Sequence, residues 1–67
     1  MDYIDRLVSL RIDRDFLQKY IGSLINKSQQ GYDHIEKRRA RLTIEDMDTL
    51  CRFYGVSAEF ILYGDEE

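Results

Sequence analysis

Proline and tryptophan are missing from this 67-residue sequence, and cysteine and histidine occur once each. Without proline, no helix is broken by a lost backbone donor. The single Cys51 excludes an internal disulfide, and one Cys with one His cannot assemble the ligand set of a structural zinc site. No apolar run approaches the length of a transmembrane span, and the start, MDYIDRLVSL, has neither the basic nor the apolar region of a secretory signal. Repeats, low-complexity tracts and strand-like alternation are missing as well. What remains is an all-α chain with one small core, expected in the cytoplasm. A core of this size is marginal unless a partner helps, so a homodimer is expected.

Positive charge is also in short supply: ten Lys and Arg stand against thirteen Asp and Glu, for a net charge of −3. An acidic balance counsels against a nucleic-acid partner, because phosphate neutralisation supplies much of that affinity. Distribution matters more than the sum. Residues 1–25 carry four acids and four bases, residues 26–42 two acids and five bases, and residues 43–67 seven acids and one base. The positive excess therefore sits in one stretch, NKSQQGYDHIEKRRAR (residues 26–41), just after an uncharged Gln-Gln pair. A charge run alone is more often a solvated face than a binding site.

The spacing predicts five short helices. Asp2 and Asp5 form a capping pair, after which Ile4, Leu7, Val8 and Arg11 share one stripe. The second stripe is Leu17, Ile21, Leu24 and Ile25, preceded by Asp15 and Gln18 as a capping box. Asn26 ends that helix in a left-handed conformation, and Ser28 caps the third. Thr43 opens the fourth, carrying Met47, Leu50, Cys51 and Tyr54 until Gly55 stops it; Ser57 caps a fifth with Phe60 and Ile61. Residues 1–64 thus make one domain, and Asp65, Glu66 and Glu67 an acidic tail expected to fray.

On a wheel at about 100° per residue, Gln29, Asp33, Lys37, Gln30 and His34 of the third helix share one polar arc. Gly31, Ile35, Tyr32 and Glu36 share the other. Each glutamine offers a donor and an acceptor together, the pair that binds the N6 and N7 edge of adenine in the major groove. They also lie in the first turn, the part of such a helix that approaches base edges. Glu36 points inward, where an unpaired carboxylate is costly, and so does Arg11; their pairing across the first and third helices satisfies both.

Leu10-Arg11, Gln18, Ile21, Ile25, Ser28, Ile35-Glu36, Leu50 and Gly55-Val56-Ser57 stand in a common register. Through them residues 4–64 resemble the helix-turn-helix domain of the Cro and repressor proteins of lambdoid phages, shared by many small bacterial regulators. The resemblance implies an all-α five-helix bundle of the lambda-repressor-like type, with helices 2 and 3 as the helix-turn-helix. It implies a transcriptional regulator, a repressor more than an activator, that binds double-stranded operator DNA with helix 3 in the major groove. Gln29 and Gln30 would read bases, with His34 a further candidate one turn on. Gln18, Lys27, Ser28, Arg39 and Arg41 would contact phosphates, Arg38 joining them, and Gln18 would also buttress Gln29. Arg11 and Glu36 match the family's ion pair.

Five positions depart from the family's pattern. Leu17 stands where a hydroxyl residue is usual. Gly22 and Tyr32 replace a small residue and an aliphatic, as if a smaller and a larger side chain compensate where helices 2 and 3 cross. Arg38 replaces the glycine that follows helix 3, and Leu42 the proline before helix 4, so the loop between is free to take another path.

Tyr3, Phe53, Leu62 and Tyr63 lie at or beyond the edges of their stripes; they either complete the core or form an apolar patch, with Phe53, Phe60, Leu62 and Tyr63 as its candidate residues, through which the fifth helix pairs with a second copy. His34 and Cys51 fall on different helices, so no nucleophile and base are paired and no enzyme is expected; nor is any cofactor, small-molecule ligand or membrane contact. The acidic residues 43–67 favour a rival reading: the same fold without DNA binding, sequestering another regulator through its last two helices.

Overall fold

Local side chains start most of the helices. The computed structural model describes residues 1–64, in which the helices are α1 (Tyr3–Asp13), α2 (Gln18–Leu24), α3 (Gln29–Glu36), α4 (Ile44–Tyr54) and α5 (Ala58–Tyr63). The acidic tail at residues 65–67 lies outside the described residues. Asp2 accepts from the Asp5 amide at 2.9 Å and Asp5 accepts from the Asp2 amide at 3.2 Å, closing the expected box. Ser28, Thr43 and Ser57 each accept at 3.0 Å from the amide three residues on.

The start of α2 departs from expectation. Its cap residue is Leu17, whose side chain cannot accept, and Asp15 caps nothing there. The reason is that Phe16, not Leu17, turns inward: its ring lies 5.5 Å from Tyr20 and 5.1 Å from Phe53, which rolls Leu17 out to 73% exposure. Asp15 is instead the left-handed residue that ends α1.

Four helices end the same way. A wide bond closes over one left-handed residue: Phe16 N–H to Arg11 O at 3.0 Å, Lys27 to Gly22 at 2.8 Å, Arg39 to His34 at 2.8 Å and Val56 to Cys51 at 3.0 Å. The residues spanned are Asp15, Asn26, Arg38 and Gly55, with φ of 59°, 59°, 63° and 73°. Arg38 thus keeps the backbone geometry that glycine usually supplies after α3, so the loop starts on the same path.

The core gathers around Ile21, Leu50 and Ile61, all at 0% exposure, with Tyr32 at 2%. At the α2–α3 crossing a Cβ on Gly22 would stand 3.0 Å from both Tyr32 Cβ and Lys27 O, so the missing side chain on α2 makes room for the ring on α3. Arginines fasten the frame. Arg6 donates to Ile61 O (2.9 Å) and Leu62 O (3.1 Å) at the end of α5, and Arg14 to Tyr54 O (2.8 Å) at the end of α4, where carbonyls lack helical partners.

Candidate nucleic-acid interface

Two anchors fix α3 and leave one face of it to solvent. Tyr32 and Ile35 are buried, whereas Gln29 and Gln30 are exposed in the first turn, directly after the Ser28 cap. Behind them Arg11 clasps Glu36 with both ends of its guanidinium, Nε to Oε2 at 2.7 Å and Nη2 to Oε1 at 3.0 Å. These side chains are only 15% and 9% exposed. Burial pushes the Glu36 carboxyl up, but hydrogen bonds from Arg11 and Gln18 outweigh it and hold the group below its ordinary value. The pair therefore stays ionised and ties α3 to α1 at one angle.

Gln18 faces α3. Its amide nitrogen donates to Asp33 Oδ1 at 2.8 Å and to Glu36 Oε1 at 2.9 Å, so both of its protons go to α3 and the side chain braces α2 against α3. Gln18, Gln29, Gln30 and Asp33 line one shallow groove, and Leu17, Lys19 and Gln29 line the next beside Arg11.

Arg38 is likewise paired within the fold. Its guanidinium donates to Asp2 at 2.7 and 3.1 Å and to Asp5 at 2.8 Å, linking the end of α3 to the capping box of α1. Hydrogen bonds from Arg38 hold both carboxyls below their ordinary value. Phe53 packs in the ring cluster with Phe16, Tyr20 and Tyr54, and Phe60 packs on the core; Leu62 and Tyr63 are 41% and 69% exposed.

Sorting the ten cations by partner separates two sets. Arg6, Arg11, Arg14 and Arg38 bind carbonyls or carboxylates across the fold, and Lys37 and Arg52 pair with Asp33 and Asp48 one turn back. Lys19, Lys27, Arg39 and Arg41 have no partner among the described residues, and all four are exposed. Lys19 lies in the first turn of α2 beside Gln29, the Lys27 stem runs within 4.0 Å of where a Gly31 Cβ would stand, and Arg39 and Arg41 follow α3. Ser28 keeps its hydroxyl proton while its oxygen caps α3, and His34 is half-buried one turn along. Lys19 went unnoticed in the sequence, although a base in a helix's first turn opposes the helix dipole and so invites another explanation.

Among the described residues no helix is long and apolar enough to cross a membrane, and no three His, Cys, Asp or Glu side chains gather closely enough to hold a metal ion. A helix-turn-helix family model matches residues 7–61. No curated protein and no solved structure matches the chain.

Proposed function

The chain belongs to the helix-turn-helix family of the Cro and repressor proteins of lambdoid phages, a family of DNA-binding regulators, and from that premise we propose a repressor that lays α3 in the major groove of an operator. The observation that carries this reading is the sorting of the cations. In a chain of net charge −3, the four bases without a partner among the described residues all lie in α2 or in the segments before and after α3, on either side in sequence of two exposed amides. A solvated surface needs no such segregation. Gln29 and Gln30 are the base readers, each able to engage adenine bidentately, with His34 next along the helix. Lys19, Lys27, Ser28, Arg39 and Arg41 contact phosphates and set the register. Gln18, Arg11 and Glu36 hold α3 in place without touching DNA.

The repressor acts as a homodimer through the open end of α5, where Leu62 and Tyr63 are exposed beside partly buried Phe60. Two copies would then address half-sites about 34 Å apart. Repression requires only that the operator be occupied.

Binding to mixed-sequence duplex across a salt series tests the reading. Four phosphates neutralised per protomer give a log–log slope of about −3.6, and roughly −7 for a dimer. Selection from random duplexes should return a two-fold site, and Gln29→Ala should relax one position of it by about 1–3 kcal/mol. A flat salt response with no enriched site would favour the sequestering module instead.

A further inference from the structure

The recognition face carries an acid that the contacts to DNA described so far do not use. Asp33 sits between Gln29 and Gln30 on the helical wheel, one turn further along, and its side chain is 23% exposed in the groove it shares with them. Its position is fixed from two sides: Oδ1 accepts from Gln18 at 2.8 Å and Oδ2 from Lys37 at 2.9 Å. A carboxylate offers about four acceptor positions, so two partners leave others directed at the groove.

Building on the DNA-reading function proposed above, we infer that Asp33 is a specificity-determining residue, restricting one base of the contacted strand, beside those read by Gln29 and Gln30, to a base that presents an exocyclic amino group. Cytosine N4 and adenine N6 are the amino donors of the major groove; guanine offers only O6 and N7 there, and thymine only O4 and a methyl group. A fixed acceptor accepts from the first two and leaves the others facing unpaired negative charge. Hydrogen bonds from Lys37 and Gln18 hold the carboxyl below its ordinary value, so it stays an acceptor at neutral pH. An anchoring role alone accounts poorly for an acid here. Glu36 already takes the other Gln18 proton, and the Lys37 pair joins side chains 58% and 23% exposed, a kind that adds little stability. Against DNA such a charge repels phosphate, a cost that recognition of a base would offset.

Site selection from random duplexes with the full chain tests this, using wild type, Asp33→Asn, Asp33→Ala and Gln29→Ala. The wild type should demand cytosine or adenine at one position next to the Gln29 contact. Asp33→Asn, whose amide also donates, should admit guanine or thymine there and reduce the preference about tenfold, leaving the neighbouring positions unchanged. If Asp33→Asn and Asp33→Ala lowered affinity for all sequences alike and kept the wild-type profile, while Gln29→Ala relaxed its own position, Asp33 would be structural only and the inference overturned. If the wild type enriched no site at any salt, the DNA-reading function itself would fall and this inference with it.

Discussion

Inside the core, Tyr54 buries its ring but leaves its hydroxyl without a hydrogen-bond partner among the described residues. An unsatisfied buried donor costs about 1–3 kcal/mol, and removing the group removes the cost. Tyr54→Phe should therefore raise stability by about 1 kcal/mol, seen as a higher urea midpoint at unchanged slope. A lower midpoint would mean that the hydroxyl is satisfied in solution. Glu36 presents the opposite case, a carboxylate whose removal strands a charge. Glu36→Ala leaves Arg11 half-buried without its counter-ion and should cost about 3 kcal/mol. The double variant Arg11→Met with Glu36→Leu strands no charge, only a Gln18 amide proton and the Phe16 carbonyl, and should be about 1–2 kcal/mol more stable than Glu36→Ala in the same denaturation series. The pair would then be a device for orienting α3 more than a source of stability, and the double variant should bind DNA worse than its stability predicts.

Between elements, the α2–α3 crossing depends on Gly22. Alanine there gains about 1 kcal/mol in helix propensity, but its Cβ would meet two backbone carbonyls and Tyr32 Cβ at 3.0–3.1 Å. Backbone in a tight turn gives little, so Gly22→Ala should lose about 1–3 kcal/mol net and tilt α3, lowering both the melting temperature and operator affinity. The end of α3 makes a finer test. Arg38→Gly loses exposed ion pairs of small value but relieves a left-handed backbone, whereas Arg38→Ala loses the pairs and keeps the strain. The glycine variant should be the more stable of the two by about 1 kcal/mol in thermal melts. These elements also mark what the sequence made legible. Asp2, Ser28, Asn26, Thr43, Gly55 and Ser57 act within a turn of their own position, so local chemistry fixes them and they could be read directly. The Arg11–Glu36 pair was legible because both residues broke the apolar stripe of their helices. The Leu17 cap was not, since packing of Phe16 against Phe53, 37 positions away, sets it. Nor were the partners of Arg38 and Gln18: a basic run and a lone glutamine give no hint of carboxylates from a different helix.

At the scale of the whole molecule, charge is divided between elements: cations without a partner among the described residues belong to α2 and the segments flanking α3, while Glu45, Asp46 and Glu59 stand in the first turns of α4 and α5. That asymmetry orients the molecule toward a polyanion despite its net negative charge. A different set of titratable groups sets how stability depends on pH. Asp2, Asp5, Asp33 and Glu36 all have carboxyls held below their ordinary values of 3.8 and 4.5. The unfolded chain therefore takes up protons at higher pH than the folded one, and the stability these groups supply is present above about pH 4.5 and lost as pH falls through their folded values. Tyr32 and Tyr54 behave in the reverse sense. Burial raises both phenols above 10.0, Tyr54 to about 12, so the unfolded chain ionises first and stability declines as pH rises past 10. Unfolding at fixed protein concentration should thus show a plateau between about pH 5 and 9 with an arm on each side. Salt identifies the owner of the acid arm. Asp2 and Asp5, with about half of each side chain exposed, are screened in 1 M salt, where the Debye length is about 3 Å, whereas the Arg11–Glu36 pair is shielded from counter-ions. The acid arm should accordingly survive 1 M salt in wild type and flatten in the Arg11→Met, Glu36→Leu variant. An arm that disappeared in salt while the variant kept it would assign acid stability to the Arg38 clamp at the start of α1.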